Sequence, residues 1–205
     1  MEAGVGELLF PRHCAGCKAA GAVLCARCRE ELATPPARVF PGTNPHVPVF
    51  AFGPYAGAHR GVVLAMKEKR NLAVRRHVGA VLAAGLDYLE ARGELPPGAG
   101  LVPAPTRAAS ARARGGDPVE AVCRATLRPT YSVLSLDDRV ADQAQLGAEQ
   151  RRANLSGAVR IRGVPTRCVV VVDDVVTTGA TLQASVEKLL ASGGEVAACV
   201  ALCAA

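Results

Sequence analysis

The segment from Val169 to Thr181 constrains this chain more than any other. Four valines in a row, Val169 to Val172, precede Asp173 and Asp174, and Val175-Val176-Thr177-Thr178-Gly179-Ala180-Thr181 follows. An uninterrupted β-branched run suits a strand covered on both faces, as in a parallel sheet flanked by helices. Open sheets of that kind place ligands at the carboxyl ends of their strands, where the acidic pair would emerge. Two adjacent carboxylates there can accept hydrogen bonds from vicinal hydroxyls. The loop beyond them is small and hydroxyl-rich, and Gly179 permits close backbone approach. The helix expected from Thr181 to Ala191 would turn its unpaired N–H groups and dipole toward an anion. A phosphate cradle beside paired carboxylates fits a molecule carrying both a phosphate and a diol, that is, a ribose 5-phosphate. The blander alternative has carboxylates that end a strand and threonines that cap a helix; it accounts for single residues but not for the whole arrangement.

The rest of the chain agrees with an α/β class. Val47 to Phe52 reads as a strand, Gly57 to Met66 as a short helix, and Leu72 to Arg92 as a longer helix with Val74, Val78, Val81, Leu82, Leu86 and Leu89 along one side. Leu101 to Ala104 reads as a strand, Pro118 to Leu127 as a helix, Tyr131 to Leu134 and Ala158 to Arg162 as strands. Asp137 to Gly147 lacks periodicity and reads as a mobile loop, with a short helix expected over Ala148 to Asn154. Cys168 to Val172 and Glu195 to Cys203 are apolar strands around the last helix, with Gly193-Gly194 as its stop. Strand, helix and strand in that order argue a parallel, doubly wound sheet. At 205 residues the chain fits one ordinary domain with a small appendage. The expected division is a cysteine module over 1–33, a proline-rich linker over 34–48 and the main domain over 49–205.

Four of the eight cysteines lie in the first module. Cys14-x-x-Cys17 and Cys25-x-x-Cys28 are separated by seven residues, a spacing that lets four thiolates surround one tetrahedral ion, for which zinc is the natural choice. Disulfides or thiol redox chemistry compete with that reading and are disfavoured in a reducing compartment. His13, beside the first knuckle, is expected to be structural. Cys123, Cys168, Cys199 and Cys203 lack metal spacing and are expected to be small buried hydrophobes.

Composition narrows the class. Half the residues are apolar but only 3% are aromatic and Trp is absent, so Val, Leu and Ala must build the core. No apolar run reaches the roughly 18 residues of a spanning helix, and no basic region precedes a hydrophobic one at the N-terminus. The expectation is a soluble, cytoplasmic protein. The net charge of +6 is almost wholly arginine, since the only lysines are Lys18, Lys67, Lys69 and Lys188. Arginine suits planar phosphate recognition, although most of these side chains are expected on solvated faces.

The acidic and Thr-Gly segment resembles the phosphoribosyl pyrophosphate (PRPP) binding motif of type I phosphoribosyltransferases. That resemblance implies Asp173 and Asp174 on the ribose hydroxyls and Val176, Thr177, Thr178, Gly179, Ala180 and Thr181 around the 5-phosphate. It also implies a pyrophosphate side, for which Leu101-Val102-Pro103-Ala104-Pro105-Thr106-Arg107 offers a strand and a loop, with Pro105 and Thr106 near the ligand and Arg107 as cation. Mg²⁺ would accompany PRPP. Tyr55-Ala56-Gly57 with Lys67, Val102-Pro103-Ala104-Pro105, Arg114-Gly115, Gln143-x-x-Leu146-x-x-x-x-Arg151-x-x-Asn154, the Cys-x-x-Cys pairs and the acidic motif together resemble the ComF family over nearly the whole chain. That family has a phosphoribosyltransferase fold and is linked to competence, the uptake of single-stranded DNA. One departure stands out. The family's usual Arg-Gly-Phe-Asn-Gln is Arg114-Gly115-Gly116-Asp117-Pro118 here, which removes an aromatic and an amide but leaves a good helix start.

Two functions fit these residues. One is transfer of phosphoribosyl to a nitrogen acceptor with release of pyrophosphate, by a transition state of oxocarbenium character. The other is nonenzymatic PRPP binding or docking in DNA uptake, with a helicase or channel protein as partner. Direct single-strand binding is disfavoured, because stacking platforms are limited to Phe10, Phe40, Phe50, Phe52, Tyr55, Tyr88 and Tyr131.

Overall fold

The computed structural model describes residues 12–68, 73–137 and 157–205. In chain order the described elements are α1 (Ala26–Leu32), β1 (Ala37–Val39), β2 (Val49–Ala51), α2 (Gly57–Met66), α3 (Ala73–Ala91), β3 (Gly100–Pro103), α4 (Ala108–Ala113), α5 (Pro118–Ala125), β4 (Leu134–Leu136), β5 (Val159–Ile161), β6 (Val169–Val176), α6 (Ala180–Ala191) and β7 (Val196–Ala204). A five-stranded sheet runs β1-β2-β7-β6-β3, and β4-β5 forms a separate antiparallel pair. Every pairing in the main sheet is parallel except β1 with β2. The fold is thus mixed α/β with a mostly parallel central sheet flanked by helices and a four-cysteine cluster at its N-terminal end. Among the described residues, no helix is long and apolar enough to cross a membrane.

The valine run behaves as its chemistry requires. Alternate residues of a strand face opposite ways, so an all-apolar strand needs cover on both sides. Val170 and Val172 enter a core with Leu82, Leu86 and Leu89 of α3, Val122 of α5 and Val62 and Met66 of α2. Val169 and Val171 enter a second core with Leu182, Val186 and Leu189 of α6. The apolar stripe of α3 is the one its periodicity predicts: Val74, Val78, Leu82, Leu86 and Leu89 are buried.

Three expectations need correction. The segment 34–48 carries a strand, β1, whose Ala37, Arg38 and Val39 pair with Ala51, Phe50 and Val49. Its prolines hid a strand too short to show a period. A strand expected at Tyr131 to Leu134 begins only at Leu134; residues before it instead bond across to β3, through Leu101 N to Pro129 O (2.8 Å) and Tyr131 N to Leu101 O (2.8 Å). The last helix begins at Ala180 rather than Thr181. The expected loop beyond Asp137, the short helix to Asn154, and Gln143, Leu146, Arg151 and Asn154 lie outside the described residues. Cys123, Cys199 and Cys203 are buried as expected, while Cys168 is half-buried.

Leu86 is fully buried beneath the sheet. Leu86→Ala is expected to destabilise the fold by about 2–5 kcal/mol through lost burial and an unfilled cavity, measured as a lower urea midpoint with an unchanged slope.

Candidate functional site

The chemistry-bearing residues gather at the carboxyl end of β6. The chain leaves β6 toward β7 through α6 and leaves β3 the other way, toward Thr130, which bridges Leu101 on the side of β3 away from β6, so a crevice opens between them. The strand continues past the valines, so Asp173 and Asp174 lie within its last half rather than beyond its end. Asp173, Val175, Val176, Thr177, Thr178, Gly179, Ala180, Thr181 and Leu182 line one concave cradle.

The cradle is shaped by backbone. Gly179, the N-cap of α6 at φ 84°, has no side chain to cap the helix, and Thr178 Oγ1 accepts from Ala180 N at 3.4 Å at the start of a first turn whose N–H groups have no partner within the helix. A β-carbon on Gly179 would lie 2.7 Å from Thr43 O and 2.8 Å from Pro41 Cβ, so glycine is required by both the left-handed backbone and the close neighbour. Thr43 N donates to Thr178 O at 2.8 Å. The segment read as a linker therefore braces the Thr-Gly loop, and His46 Nε2 lies 3.5 Å from Glu187 Oε1 of α6.

The acidic pair is electrostatically strained. Burial, then the neighbouring Asp174 carboxylate, pushes the Asp173 pKa from 3.8 up to about 7, against the pull of the Asp174 amide and Lys67. Asp174 N donates to Asp173 Oδ1 at 2.8 Å. Lys67 Nζ lies 2.7 Å from Asp174 Oδ2, which places a cation at the C-cap of α2 directly on the pair. Lys67 carried no assigned role in the sequence, although it is one of few point-like cations in a chain whose positive charge is nearly all arginine. Arg75 was also missed. It is buried, donating from Nε (3.2 Å) and Nη2 (2.9 Å) to Met66 O and from Nη2 to Arg114 O (3.0 Å). It pins the end of α2 to the loop that departs from the family pattern. In that loop Asp117 caps α5, its Oδ1 accepting from Val119 N (2.8 Å) and Glu120 N (3.1 Å).

The loop after β3 leaves beside this site. Pro103 pairs with Val172, and Ala104 N donates to Val172 O at 2.7 Å. Pro105 is buried, Thr106 half-buried and Arg107 exposed at the N-cap of α4. The fold thus brings Asp173 and Val176 to Thr181 into one cradle, keeps Asp174 next to Asp173 in the strand on Lys67, and puts Pro105, Thr106 and Arg107 on the adjacent strand's loop.

The four-cysteine cluster forms a second centre. The sulfurs of Cys14, Cys17, Cys25 and Cys28 lie within 4.8 Å of one another, compared with an S···S edge of about 3.8 Å in a tetrahedron with Zn–S bonds of about 2.3 Å. Cys25 N donates to Cys14 Sγ at 3.3 Å. Burial opposes ionisation of Cys14, but backbone amides of Cys25, Cys17 and Gly16 outweigh it and bring its pKa down to about 6. Burial and hydrogen bonds to the other three sulfurs push the Cys28 pKa up. Four soft donors converging with one readily ionised thiol fit a zinc ion. His13 stands outside the set and bridges Ala20 through its backbone.

A family model described as phosphoribosyl transferase domain matches residues 134–205, a span from β4 to the C-terminus that contains the whole cradle. No curated protein matches the chain. The match supports a domain of the type I phosphoribosyltransferase superfamily.

The strain on Asp173 has a measurable sign. Between about pH 4 and pH 7 the folded protein holds a proton on Asp173 that the unfolded chain has released. The stability this group contributes is present at low pH and is lost as pH rises through about 7. Asp173→Asn is expected to flatten that part of the pH–stability curve, measured by urea denaturation at stepped pH; an unchanged slope would place the acidic strain elsewhere.

Proposed function

We propose that the chain binds PRPP through this cradle and transfers its phosphoribosyl group to a nitrogen acceptor with release of pyrophosphate. The observation that carries the reading is one concavity that joins the Asp173 carboxyl, neighbour of Asp174 in β6, to the Thr-Gly loop and the N-terminus of α6. The ComF-like motifs of the sequence make this a ComF-type phosphoribosyltransferase with a structural zinc centre on Cys14, Cys17, Cys25 and Cys28, and a role beside DNA uptake follows from that resemblance alone.

The residues divide the work. The amides from Thr177 to Thr181 receive the 5-phosphate, while the carboxyl oxygens of Asp173 and Asp174 accept hydrogen bonds from the ribose hydroxyls. Arg107, on the loop after β3, is the cation proposed to stabilise the growing negative charge of the departing pyrophosphate. Mg²⁺, bound with PRPP, would supply charge neutralisation for the departing pyrophosphate. The C1–N bond forms as the C1–O bond to pyrophosphate breaks, and the bonding pair leaves with the pyrophosphate oxygen. Rate then depends on charge placement and alignment more than on a strong base. Lys67 places a compensating cation 2.7 Å from Asp174 Oδ2 before ligand arrives.

Calorimetric titration of PRPP with Mg²⁺ into the zinc-loaded wild type and into Asp173→Asn, Asp174→Asn tests the reading. Saturable one-to-one binding is expected in the wild type and at least about a hundredfold loss in the double variant, on the scale of two charge-assisted hydrogen bonds. Absence of binding to folded wild type would overturn it.

A further inference from the structure

We infer that helix α2 is a strut that couples the four-cysteine centre to the acidic pair, with Glu31 and Gly61 as positioning residues for the Lys67–Asp174 ion pair. The inference rests on the reading of Asp173 and Asp174 as the ribose site.

One end of the strut is seated on the cysteine module. A β-carbon on Gly61 would lie 2.2 Å from Gly16 O and 2.7 Å from both Ala15 O and Gly16 Cα, so the helix packs backbone to backbone on the first knuckle. The same residue is wedged against the cluster: a β-carbon on Gly16 would lie 2.7 Å from Cys28 Sγ and 3.2 Å from Ala58 Cβ of α2, so a cluster sulfur and the helix close on one glycine. Glu31, in α1, reaches the helix start, where its Oε1 accepts from Ala58 N at 2.8 Å. That bond satisfies a donor the helix cannot and sets a negative charge at the positive end of its dipole. The His59 ring, on the next residue, lies with Nδ1 3.9 Å from the same oxygen. The buried face of α2 (Ala58, Val62, Val63, Ala65 and Met66) shares a core with Cys14, Ala15, Leu24, Cys28 and Leu32.

The other end is seated at the site. Met66 O is held by Arg75, and the next residue, Lys67, is the C-cap whose ammonium lies on Asp174. A ten-residue helix spans about 15 Å and moves as one body. A knuckle that tightens around an ion fixes the Gly16 peptide and Glu31, hence the axial position of α2 and the place of Lys67. Without the ion the thiolates lose their common partner, and the seat of the helix loosens.

Hydrogen exchange on the full chain tests the coupling without any ligand. The comparison is between zinc-loaded wild type, chelator-treated wild type, Glu31→Ala and Glu31→Gln, with zinc content measured on each. Glu31→Ala, with zinc retained, is expected to exchange at least about tenfold faster over the last turn of α2 and over residues 173–176. Chelation should do the same, and Glu31→Gln, which keeps an acceptor for Ala58 N, should restore most protection. Arg27→Ala, an exposed change on the same module, should leave exchange unaltered. If chelation unfolds the chain, the zinc-retaining Glu31 variants decide. Unchanged exchange at α2 and 173–176 in Glu31→Ala would overturn the coupling. PRPP titration of the same samples separates the two ideas: a wild type that fails to bind refutes the ribose site, whereas exchange alone judges the strut.

Discussion

Two carboxylates in consecutive half-buried positions of a strand repel each other and resist leaving water, and the surrounding architecture answers that problem. Lys67 compensates one of them at 2.7 Å, and the cost that remains shows in the raised pKa of Asp173. Lys67 is about one-third exposed (32%), so screening limits what the pair adds to stability; its value lies in where it puts charge. To hold Lys67 there the fold uses the whole of α2, anchored by Arg75 at one end and Glu31 at the other. Strained ionisable groups in a cleft are the usual mark of a binding site, because a ligand can relieve what the apo protein must bear.

The phosphate side of the cradle shows the same economy of means by a different route. Here the constraint is space: Gly179 can neither carry a side chain nor be relaxed, because Thr43 O and Pro41 occupy the volume a β-carbon needs. The bond from Thr43 N to Thr178 O then fixes the loop from outside. The proline-rich stretch is thus built into the site, and it runs on from the module that carries the four cysteines. Cysteine module, brace, phosphate loop and acidic pair are neighbours through short contacts, with the module touching the site by α2 on one path and by residues 41–46 on another.

Much of this was legible in the sequence, for physical reasons. Val169 to Val172 had to be a doubly covered strand, the 3.6 period of Val74, Val78, Leu82, Leu86 and Leu89 had to be a helix face, and Asp117-Pro118 had to start a helix. The two Cys-x-x-Cys pairs foretold a cluster that local spacing alone can close. What stayed hidden was long-range. Nothing near Lys67 in the chain indicates that it meets Asp174, 107 positions later, and Arg75 looked like one more arginine until its burial and three carbonyl partners appeared. The strand Ala37–Val39 was invisible because three residues cannot show a period, and its partner Val49–Ala51 lies across the prolines that made the segment look like a linker.

The central claim is that paired carboxylates read a diol while the Thr-Gly loop reads a phosphate on the same sugar. Calorimetry with ribose 5-phosphate, 2-deoxyribose 5-phosphate and ribose tests it most directly, because the second sugar lacks one recognised hydroxyl and the third lacks the phosphate. The account requires ribose 5-phosphate to bind, the 2-deoxy sugar to bind at least about tenfold more weakly through loss of one charge-assisted hydrogen bond, and unphosphorylated ribose to bind weakest. Equal affinity for ribose 5-phosphate and its 2-deoxy analogue would contradict it, since the acidic pair would then have no hydroxyl to read.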